Sequence, residues 1–260
     1  MKSHCEICGL DHPTSENKYH RGKTRVLITT FPKSGTNLII QMFGTPEHIQ
    51  ISHDMMYMGI PIKNNSISAH NELKVQEMAA QIAGFKGVAF GHIPYNYSFD
   101  EARRHRPTLL VQLIRDPRDV IVSHYQYVKS KPDAAMNYEF DDGVLLADRP
   151  DPILDLIKLS PARWAKFIPW LDTAHVVRYE DLRSDPRAEG RRFIAKIGID
   201  ESVRLRIGSE DAMVRNIRPE KSPTFRRGGV GDWKSFFKER HIGAYRELMA
   251  ETAEVLGYGL

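Results

Sequence analysis

The sequence predicts an α/β fold, a single domain in which helices flank a central parallel sheet. Short apolar runs rich in β-branched residues alternate with longer segments of helical periodicity, which is the pattern of strand–helix units. The runs contain few polar residues, as expected for strands covered on both faces. A chain of 260 residues can bury one substantial core. The predicted strands cover residues 24–30, 87–91, 108–114 and 175–179.

Helical spacing of apolar residues predicts the elements that connect these strands. The predicted helices are residues 36–43 and 71–83, a segment running through Val120 and Val128, one containing Trp164, Phe167 and Trp170, and the ranges 186–198, 201–214 and 239–256. Residues 130–152 are rich in proline and aspartate, so we expect a surface excursion there.

Charge and composition are typical of a globular enzyme with an anionic ligand. The formal net charge is +4, and no long run of Lys or Arg indicates nucleic-acid binding. No apolar segment approaches the roughly 18 residues that a membrane-spanning helix requires. The N-terminus lacks the hydrophobic region of a secretory signal. We therefore expect a cytoplasmic protein with a small-molecule partner, no membrane span and no nucleic acid.

Residues 1–23 form a polar N-terminal arm ahead of the domain, which we place at 24–260. The arm contains both cysteines of the chain, in the stretch Cys5-Glu6-Ile7-Cys8, and His12 and His20 follow. Cysteine and histidine are the usual ligands of structural zinc, but a second closely spaced ligand pair is missing. The arm is therefore either a zinc site or a segment with two incidental thiols.

The most informative stretch is Phe31-Pro32-Lys33-Ser34-Gly35-Thr36-Asn37, which lies between a predicted strand and a predicted helix. A strand–loop–helix unit points backbone N–H groups and a helix N-terminus at one spot, and such a spot binds anions. Gly35 permits close approach of the backbone and Lys33 adds a positive charge. Side-chain donors come from Ser34, Thr36 and Asn37. The site is P-loop-like, although it lacks the G-x-x-x-x-G-K-[ST] spacing of a Walker A loop.

Further cationic groups follow a strand end and a turn. Arg115 comes directly after the strand at 108–114, and Ser123 lies about two helical turns later. A basic, glycine-rich stretch begins with Arg226, Arg227 and Gly228. Because open parallel sheets bind ligands at the carboxyl ends of their strands, Arg115 should converge with the loop at 31–37. Arg118 is expected to face solvent or to pair with Asp119.

Together these motifs resemble the soluble, cytosolic-type sulfotransferases, which use 3′-phosphoadenosine 5′-phosphosulfate (PAPS). Four matches occur in the family's order along residues 24–240. They are the phosphosulfate loop Pro32-Lys33-Ser34-Gly35-Thr36, the 3′-phosphate segment Arg115-Asp116-Pro117-Arg118-Asp119-Val120 with Ser123, the motif Tyr179-Glu180-Asp181-Leu182, and the closing stretch Arg226-Arg227-Gly228-Gly229-Val230-Gly231-Asp232-Trp233-Lys234. His92 falls where the family places its base, after a short strand and before a proline.

The resemblance implies in-line transfer of a sulfuryl group from PAPS to a hydroxyl or amine of an unidentified small-molecule acceptor, with no metal required. It implies that His92 takes the acceptor's proton, that Lys33 stabilises the leaving phosphate, and that Ser123 couples the 3′-phosphate to Lys33. The residues it implies for cofactor binding are Lys33, Ser34, Gly35, Thr36, Asn37, Arg115, Ser123, Tyr179, Arg226, Arg227 and Gly228.

The sequence also departs from the family pattern. Leu38 stands where members often have a tryptophan that stacks on adenine, and Phe90 replaces a lysine before the histidine. The dimerisation motif after Lys234 is not recognisable, so the oligomeric state is left open. Without the motifs, His92 would be interpreted as a core histidine bonded to a backbone carbonyl.

Two other functions are compatible with a strand–loop–helix phosphate site. A nucleotide kinase would need Mg²⁺ beside that site, and Asp116 is the nearest strand-end carboxylate. A non-catalytic nucleotide-binding or interaction protein would use the arm at 1–23 as its contact surface.

Overall fold

The computed structural model describes residues 2–4, 11–13, 25–44, 47–48, 79–84, 87–97, 100–101, 108–134, 136–197, 209–218, 221 and 228–259. The strands are β1 (Lys2–His4), β2 (Asp11–Pro13), β3 (Arg25–Thr30), β4 (Glu47–His48), β5 (Val88–Gly91), β6 (Thr108–Ile114) and β7 (His175–Arg178). The helices are α1 (Thr36–Met42), α2 (Pro117–Ser130), α3 (Pro152–Trp164), α4 (Tyr179–Ser184), α5 (Pro186–Ile197), α6 (Glu210–Asn216) and α7 (Glu239–Val255). Short 3₁₀ helices cover Leu146–Asp148, Ile168–Asp172 and Asp232–Ser235. No helix in this part of the chain is long and apolar enough to cross a membrane.

The centre of the fold is a five-stranded parallel sheet with the order β4-β5-β3-β6-β7. In the middle strand, Thr29 pairs with Gly91 of β5 on one side and with Gln112 of β6 on the other. Beyond β6, Ile114 is in register with Arg178 of β7. The residues that follow β3, β5, β6 and β7 therefore emerge side by side at one edge of the sheet, where ligands of parallel sheets bind.

The sheet is covered on both faces, because successive side chains of a strand point to opposite sides. Val26 and Ile28 of β3 pack in one cluster with side chains of α1, α5 and α6. Leu27 packs on the other side with Trp170 and the helical residues 79–84. A further cluster joins α2, α3 and α7, and it includes Phe31, which directly follows β3. The loop that leaves β3 is thus anchored in the core.

The predicted α/β fold and its four strands are confirmed, and β4 adds a short edge strand. Two boundaries were wrong. Tyr179 lies in the first turn of α4 rather than in β7, because Glu180 and Asp181 complement a helix N-terminus there. The helix containing Trp164 ends at that residue, since Pro169 sits in the first turn of the next 3₁₀ helix and cannot continue α3.

The expectation of a surface excursion at 130–152 was partly wrong. Tyr138 and Leu146 are buried in the cluster of α2, α3 and α7. The Leu146 N–H donates to the Tyr138 carbonyl at 2.8 Å, and the Ala147 N–H donates to Asn137 Oδ1, also at 2.8 Å. Turns rich in proline and aspartate therefore fold two apolar side chains inward.

Within the N-terminal arm, β1 and β2 pair antiparallel, a pairing that sequence reasoning did not predict. Cys5, Cys8 and His20 lie outside the described residues, so the zinc site stays a prediction. Residues 201–208 of a predicted helix also lie outside them, and α6 begins at Glu210.

Candidate functional site

The loop at 31–37 has a backbone that is rare outside functional sites. Lys33 has φ 72° and Gly35 has φ 110°, both in the left-handed region, with Ser34 between them. Alternating backbone conformations of this kind turn N–H groups toward one side and form a concave anion site. A lysine seldom adopts positive φ, and such strain concentrates at functional positions.

Gly35 is also required by a close neighbour. A Cβ at this position would collide with the ring carbons Cδ2 and Cε2 of Tyr179. Tyr179 is buried, and its ring stacks with the guanidinium of Arg115, whose Cζ lies 4.3 Å from the ring centroid. The strand register explains this contact, because Arg115 and Tyr179 follow the paired residues Ile114 and Arg178. The predicted contact of Tyr179 with adenine stays a prediction.

Ser34 stabilises the loop through hydrogen bonds to another loop residue. Its hydroxyl donates to the Phe31 carbonyl at 2.7 Å, and its backbone N–H donates to the same oxygen at 3.1 Å. Phe31 in turn stacks on Trp164, with ring centroids 3.8 Å apart. The structure therefore gives Ser34 a role inside the loop, and its predicted contact with a ligand stays a prediction.

The Lys33 ammonium lies over the ring of Tyr127 from α2, with Nζ 3.7 Å from the ring centroid. Burial lowers the pKa of Lys33 to about 8, and the charges of Lys131 and Arg115 act in the same direction. An anion bound beside the ammonium would raise this pKa again, because it stabilises the charged form. The electrostatics at Lys33 therefore favour an anionic ligand.

Arg115 joins the loop at 31–37 to the glycine-rich stretch. Its Nη1 donates to the Lys33 carbonyl at 3.4 Å, and its Nη2 donates to the Gly229 carbonyl at 2.8 Å. The Nε of this buried side chain has no hydrogen-bond partner among the described residues. An unsatisfied buried donor is costly, and a guanidinium is well suited to bidentate bonds with phosphate. Arg115 therefore fits the phosphate-binding role predicted for it.

The expected pairing of Arg118 was wrong. Its Nε donates to Asp116 Oδ1 at 2.9 Å and its Nη2 donates to Asp116 Oδ2 at 2.8 Å. The cause is the cap of α2, where Asp116 also accepts the Arg118 backbone N–H at 2.9 Å. Asp116 is thus engaged by a cation, which weakens its case as a magnesium ligand. The described residues contain no group of three or more His, Cys, Asp or Glu that could hold a metal ion.

Asp119 faces Arg115 and the glycine-rich stretch instead. Its Oδ2 lies 3.7 Å from Arg115 Nη2 and accepts the Gly231 N–H at 2.7 Å. Its Oδ1 accepts the Trp233 N–H at 3.0 Å. Burial raises the pKa of Asp119 above its ordinary value.

A second arginine contacts the first described residue of the glycine-rich stretch, since Arg183 Nε donates to the Gly228 carbonyl at 3.2 Å. Arg226 and Arg227 lie outside the described residues, so their predicted phosphate contacts stay predictions. The described part nevertheless reaches Arg115 at the edge of the sheet through Gly229. Two of the three cationic segments found in the sequence therefore meet as expected, and the stretch that contains the third contacts Arg115 through the Gly229 carbonyl.

Ser123 lies between Asp119 and Tyr127 on one face of α2, because residues four apart on a helix are neighbours. Asp119 contacts Arg115, and Tyr127 contacts Lys33. This face of α2 therefore looks toward both cations, with the partly buried Ser123 between them. Its predicted bonds to a phosphate and to Lys33 stay predictions.

His92 is joined to the loop through Thr30. The two residues follow the paired residues Gly91 and Thr29. His92 Nδ1 lies 3.0 Å from the Thr30 carbonyl oxygen and 2.9 Å from Thr30 Oγ1, and Thr30 Oγ1 lies 2.9 Å from Thr36 Oγ1. Thr36 and its neighbour Asn37 form the first turn of α1 and are partly buried.

The carbonyl of Thr30 can only accept a hydrogen bond, so Nδ1 of His92 carries a proton. In the neutral ring, Nε2 is then the basic nitrogen. His92 can therefore bond a backbone carbonyl and still act as a base. The bond to the carbonyl selects the tautomer in which Nε2 is free of a proton, and this is the tautomer that a base requires.

Sequence reasoning missed the roles of Thr30, Tyr127 and Glu180. The spacing from Ser123 to Tyr127 was a usable signal, as was the adjacency of two strand ends at Thr30. Glu180 Oε1 accepts the Asp116 N–H at 3.0 Å, and Glu180 Oε2 accepts the Tyr258 hydroxyl at 2.7 Å. No sequence signal connects Glu180 with a tyrosine 78 residues away.

A family model described as "Sulfotransferase domain" matches residues 23–257, which include every motif described above. The chain belongs to the sulfotransferase domain family. Sulfotransferase 2A1 of Mus musculus is 24% identical over 265 residues, covering 90% of this chain and 86% of the relative. Sulfotransferase 2A2 of Mus musculus is 26% identical over 267 residues, with the same coverage of 90% and 86%. The family resemblance inferred from the motifs is confirmed.

Among solved structures, mouse sulfotransferase SULT7A1 complexed with PAP shares the fold. It matches with a TM-score of 0.53 and 14% sequence identity, covering 96% of this chain and 94% of the other. The comparison therefore supports the α/β architecture of the sulfotransferase, while the roles of individual residues depend on the geometry of this site.

Proposed function

We propose that this sulfotransferase moves a sulfuryl group from PAPS to a hydroxyl or amine of a small-molecule acceptor by in-line displacement. The observation that carries the proposal is the arrangement at the sheet edge. Arg115 contacts the Lys33 carbonyl of the loop at 31–37. Thr30 contacts both Thr36 of that loop and His92. Cations for the donor and a base for the acceptor thus stand on adjacent strand ends.

The site suits an adenosine bisphosphate with negative charge at both ends. Lys33 is a desolvated cation whose pKa is lowered to about 8, and the buried Arg115 has one donor without a partner among the described residues. Anionic oxygens would satisfy both groups. When bound, PAPS supplies an activated sulfuryl group and a phosphate leaving group. Arg115 would hold the 3′-phosphate, with Tyr179, Arg226, Arg227 and Gly228 as further contacts.

Lys33 would stabilise the negative charge that develops on the leaving phosphate oxygen. The N–H groups of Gly35 and Thr36, with the side chain of Asn37, would hold the 5′-phosphate, while Ser34 keeps the loop in shape through its bond to the Phe31 carbonyl. The strained backbone of Lys33 fixes where its side chain leaves the loop. Ser123, between the two cations on α2, would couple binding of the 3′-phosphate to the placement of Lys33.

His92 would remove the acceptor's proton through Nε2. The contacts of Nδ1 with Thr30 fix the tautomer and the ring orientation. Because Nδ1 carries a proton, the Thr30 hydroxyl cannot donate to it, and the hydroxyl proton is directed to Thr36 Oγ1 at 2.9 Å. The base is therefore oriented by Thr30, which also contacts Thr36 of the loop that would hold the donor, and this supports in-line transfer between the two.

The proposal is tested with purified protein, PAPS carrying labelled sulfate, and a panel of phenols, alcohols, amines and sugars. We expect label to appear in at least one acceptor in buffer containing a metal chelator, and to disappear with the His92→Ala variant. Transfer of phosphate from ATP with Mg²⁺, without sulfate transfer, would instead support the kinase alternative. Nucleotide binding without transfer to any acceptor would favour a non-catalytic protein.

A further inference from the structure

The glycine-rich segment 228–235 is docked onto the start of α2 mainly by its backbone. The N–H groups of Gly231 and Trp233 donate to the two carboxylate oxygens of Asp119, at 2.7 and 3.0 Å. The Gly229 carbonyl accepts from Arg115 Nη2 at 2.8 Å. The Asp119 carboxylate thus accepts hydrogen bonds from two residues of this segment. It also faces the guanidinium of Arg115, which donates to a third residue of the segment.

An ionised carboxylate is needed for this arrangement. A carboxylate accepts on both oxygens, whereas an asparagine would direct its NH₂ donor at one of the two backbone N–H groups. Asp119 is only 1% exposed, so water cannot replace a lost bond. The fold keeps a buried charge here although burial raises the pKa of Asp119. The bonds from Gly231 and Trp233 and the charge of Arg115 offset this effect, so the ionised form of Asp119 depends on the docked segment.

We propose that Asp119 is a positioning residue of the nucleotide site, which fastens segment 228–235 to α2 and thereby orients Arg115. This inference rests on the proposed function. Arg115 Nη2 lies 2.8 Å from the Gly229 oxygen and 3.7 Å from Asp119 Oδ2, so the segment and its anchor contact the same nitrogen of the guanidinium.

The test compares the wild type with Asp119→Asn by two measurements, hydrogen–deuterium exchange of the peptide containing Gly231 and Trp233, and calorimetric binding of adenosine 3′,5′-bisphosphate. We expect faster exchange confined to this peptide and roughly tenfold or greater loss of affinity. Glu189→Gln is the matched control, because Glu189 is 3% exposed and its ion pair with Arg192 lies within α5. This control should change neither measurement.

Each outcome has a distinct meaning. Wild-type affinity in Asp119→Asn, or unchanged exchange of the Gly231–Trp233 peptide, would overturn this inference alone. A wild type that does not bind the bisphosphate would overturn the proposed function as well. If Asp119→Asn fails to fold, Gly231→Val replaces it, since φ is 78° at Gly231, where a β-branched residue is strained, and the N–H of this residue donates to the retained Asp119. That variant must also show both faster exchange of the peptide and lower affinity for the bisphosphate. Faster exchange with wild-type affinity would contradict the coupling between the segment and Arg115.

Discussion

The ammonium of Lys33 lies 3.7 Å from the centroid of the Tyr127 ring, so the loop after β3 is tied to α2 through a cation on an aromatic face. Lys131 Nζ lies 5.4 Å from the centroid of the same ring. Burial, together with the charges of Lys131 and Arg115, disfavours the charged form of Lys33 and lowers its pKa to about 8. A negative charge beside Lys33 would therefore stabilise its ammonium form.

The first prediction concerns pH. Burial and neighbouring cations lower the pKa of Lys33 to about 8, so its ammonium is present below that pH and lost above it. If the ammonium is required, kcat/KM for the donor should fall as pH rises through about 8, because this parameter reports the free enzyme. Lys166 has a pKa lowered to about 8 as well, mainly by burial. The Lys33→Met variant distinguishes the two lysines. If Lys33 causes the fall in kcat/KM, the pH profile of this variant should lose that fall.

The second prediction separates catalysis from binding at Lys33. Lys33→Met keeps most of the side-chain volume and removes the charge, so single-turnover transfer at saturating donor should fall by roughly 10²-fold. Bisphosphate affinity should fall less, because the contact strengthens in the transition state. Lys129→Met, at an exposed lysine over the Tyr125 ring, is the control and should retain the wild-type rate. A saturated Lys33→Met enzyme with the wild-type rate would restrict this lysine to ground-state binding.

The third prediction tests how His92 is oriented. Thr30→Val removes the hydroxyl that contacts both His92 Nδ1 and Thr36 Oγ1 while leaving the Thr30 carbonyl in place. Transfer should slow by roughly tenfold, and His92→Ala should slow it by roughly 10²-fold or more, while both variants bind the bisphosphate normally. Thr108→Val is the control, since this threonine contacts Arg25 at the opposite end of the sheet. Loss of bisphosphate binding in His92→Ala would contradict its assignment as a base.

The sequence predicted the fold further than it predicted the details of the site. Apolar runs located β3, β5 and β6 because strands buried on both faces leave a clear pattern, whereas β7 is an edge strand in which only Val177 is buried. The motifs located Lys33, Arg115 and His92 because they follow strand ends. Residue partners were harder to predict, since they depend on local cap geometry. Local cap geometry is the reason why Arg118 pairs with Asp116 rather than with Asp119.

Long-range contacts were beyond sequence reasoning altogether. The Tyr258 hydroxyl reaches Glu180 because α7 packs its end beside β7, where Arg178 Nη2 also donates to the Leu256 carbonyl at 3.0 Å. Such contacts depend on the assembled tertiary structure. No periodicity or spacing within either segment encodes them.

The fourth prediction concerns the stability of the loop. Gly35→Ala combines strain at φ 110° with a collision against the Tyr179 ring, so it should lower the free energy of unfolding by about 2 kcal/mol or more. Gly44→Ala is the matched control, because φ is 81° there but nothing lies within 4 Å of an added Cβ. It should cost about 1 kcal/mol through strain alone. Urea unfolding of both variants measures the difference, and equal losses would contradict a close Gly35–Tyr179 contact.

The central claim is that the site binds an adenosine carrying phosphates at both the 3′ and the 5′ positions. Its most direct test is the melting temperature of the wild-type protein in a metal chelator, with and without adenosine 3′,5′-bisphosphate. We expect a clear rise, which corresponds to about 2.7 kcal/mol when the ligand is at ~100 times its Kd. AMP, which lacks the 3′-phosphate that Arg115 would hold, should stabilise the protein less. No shift with the bisphosphate, together with a rise in ATP and Mg²⁺, would contradict the account.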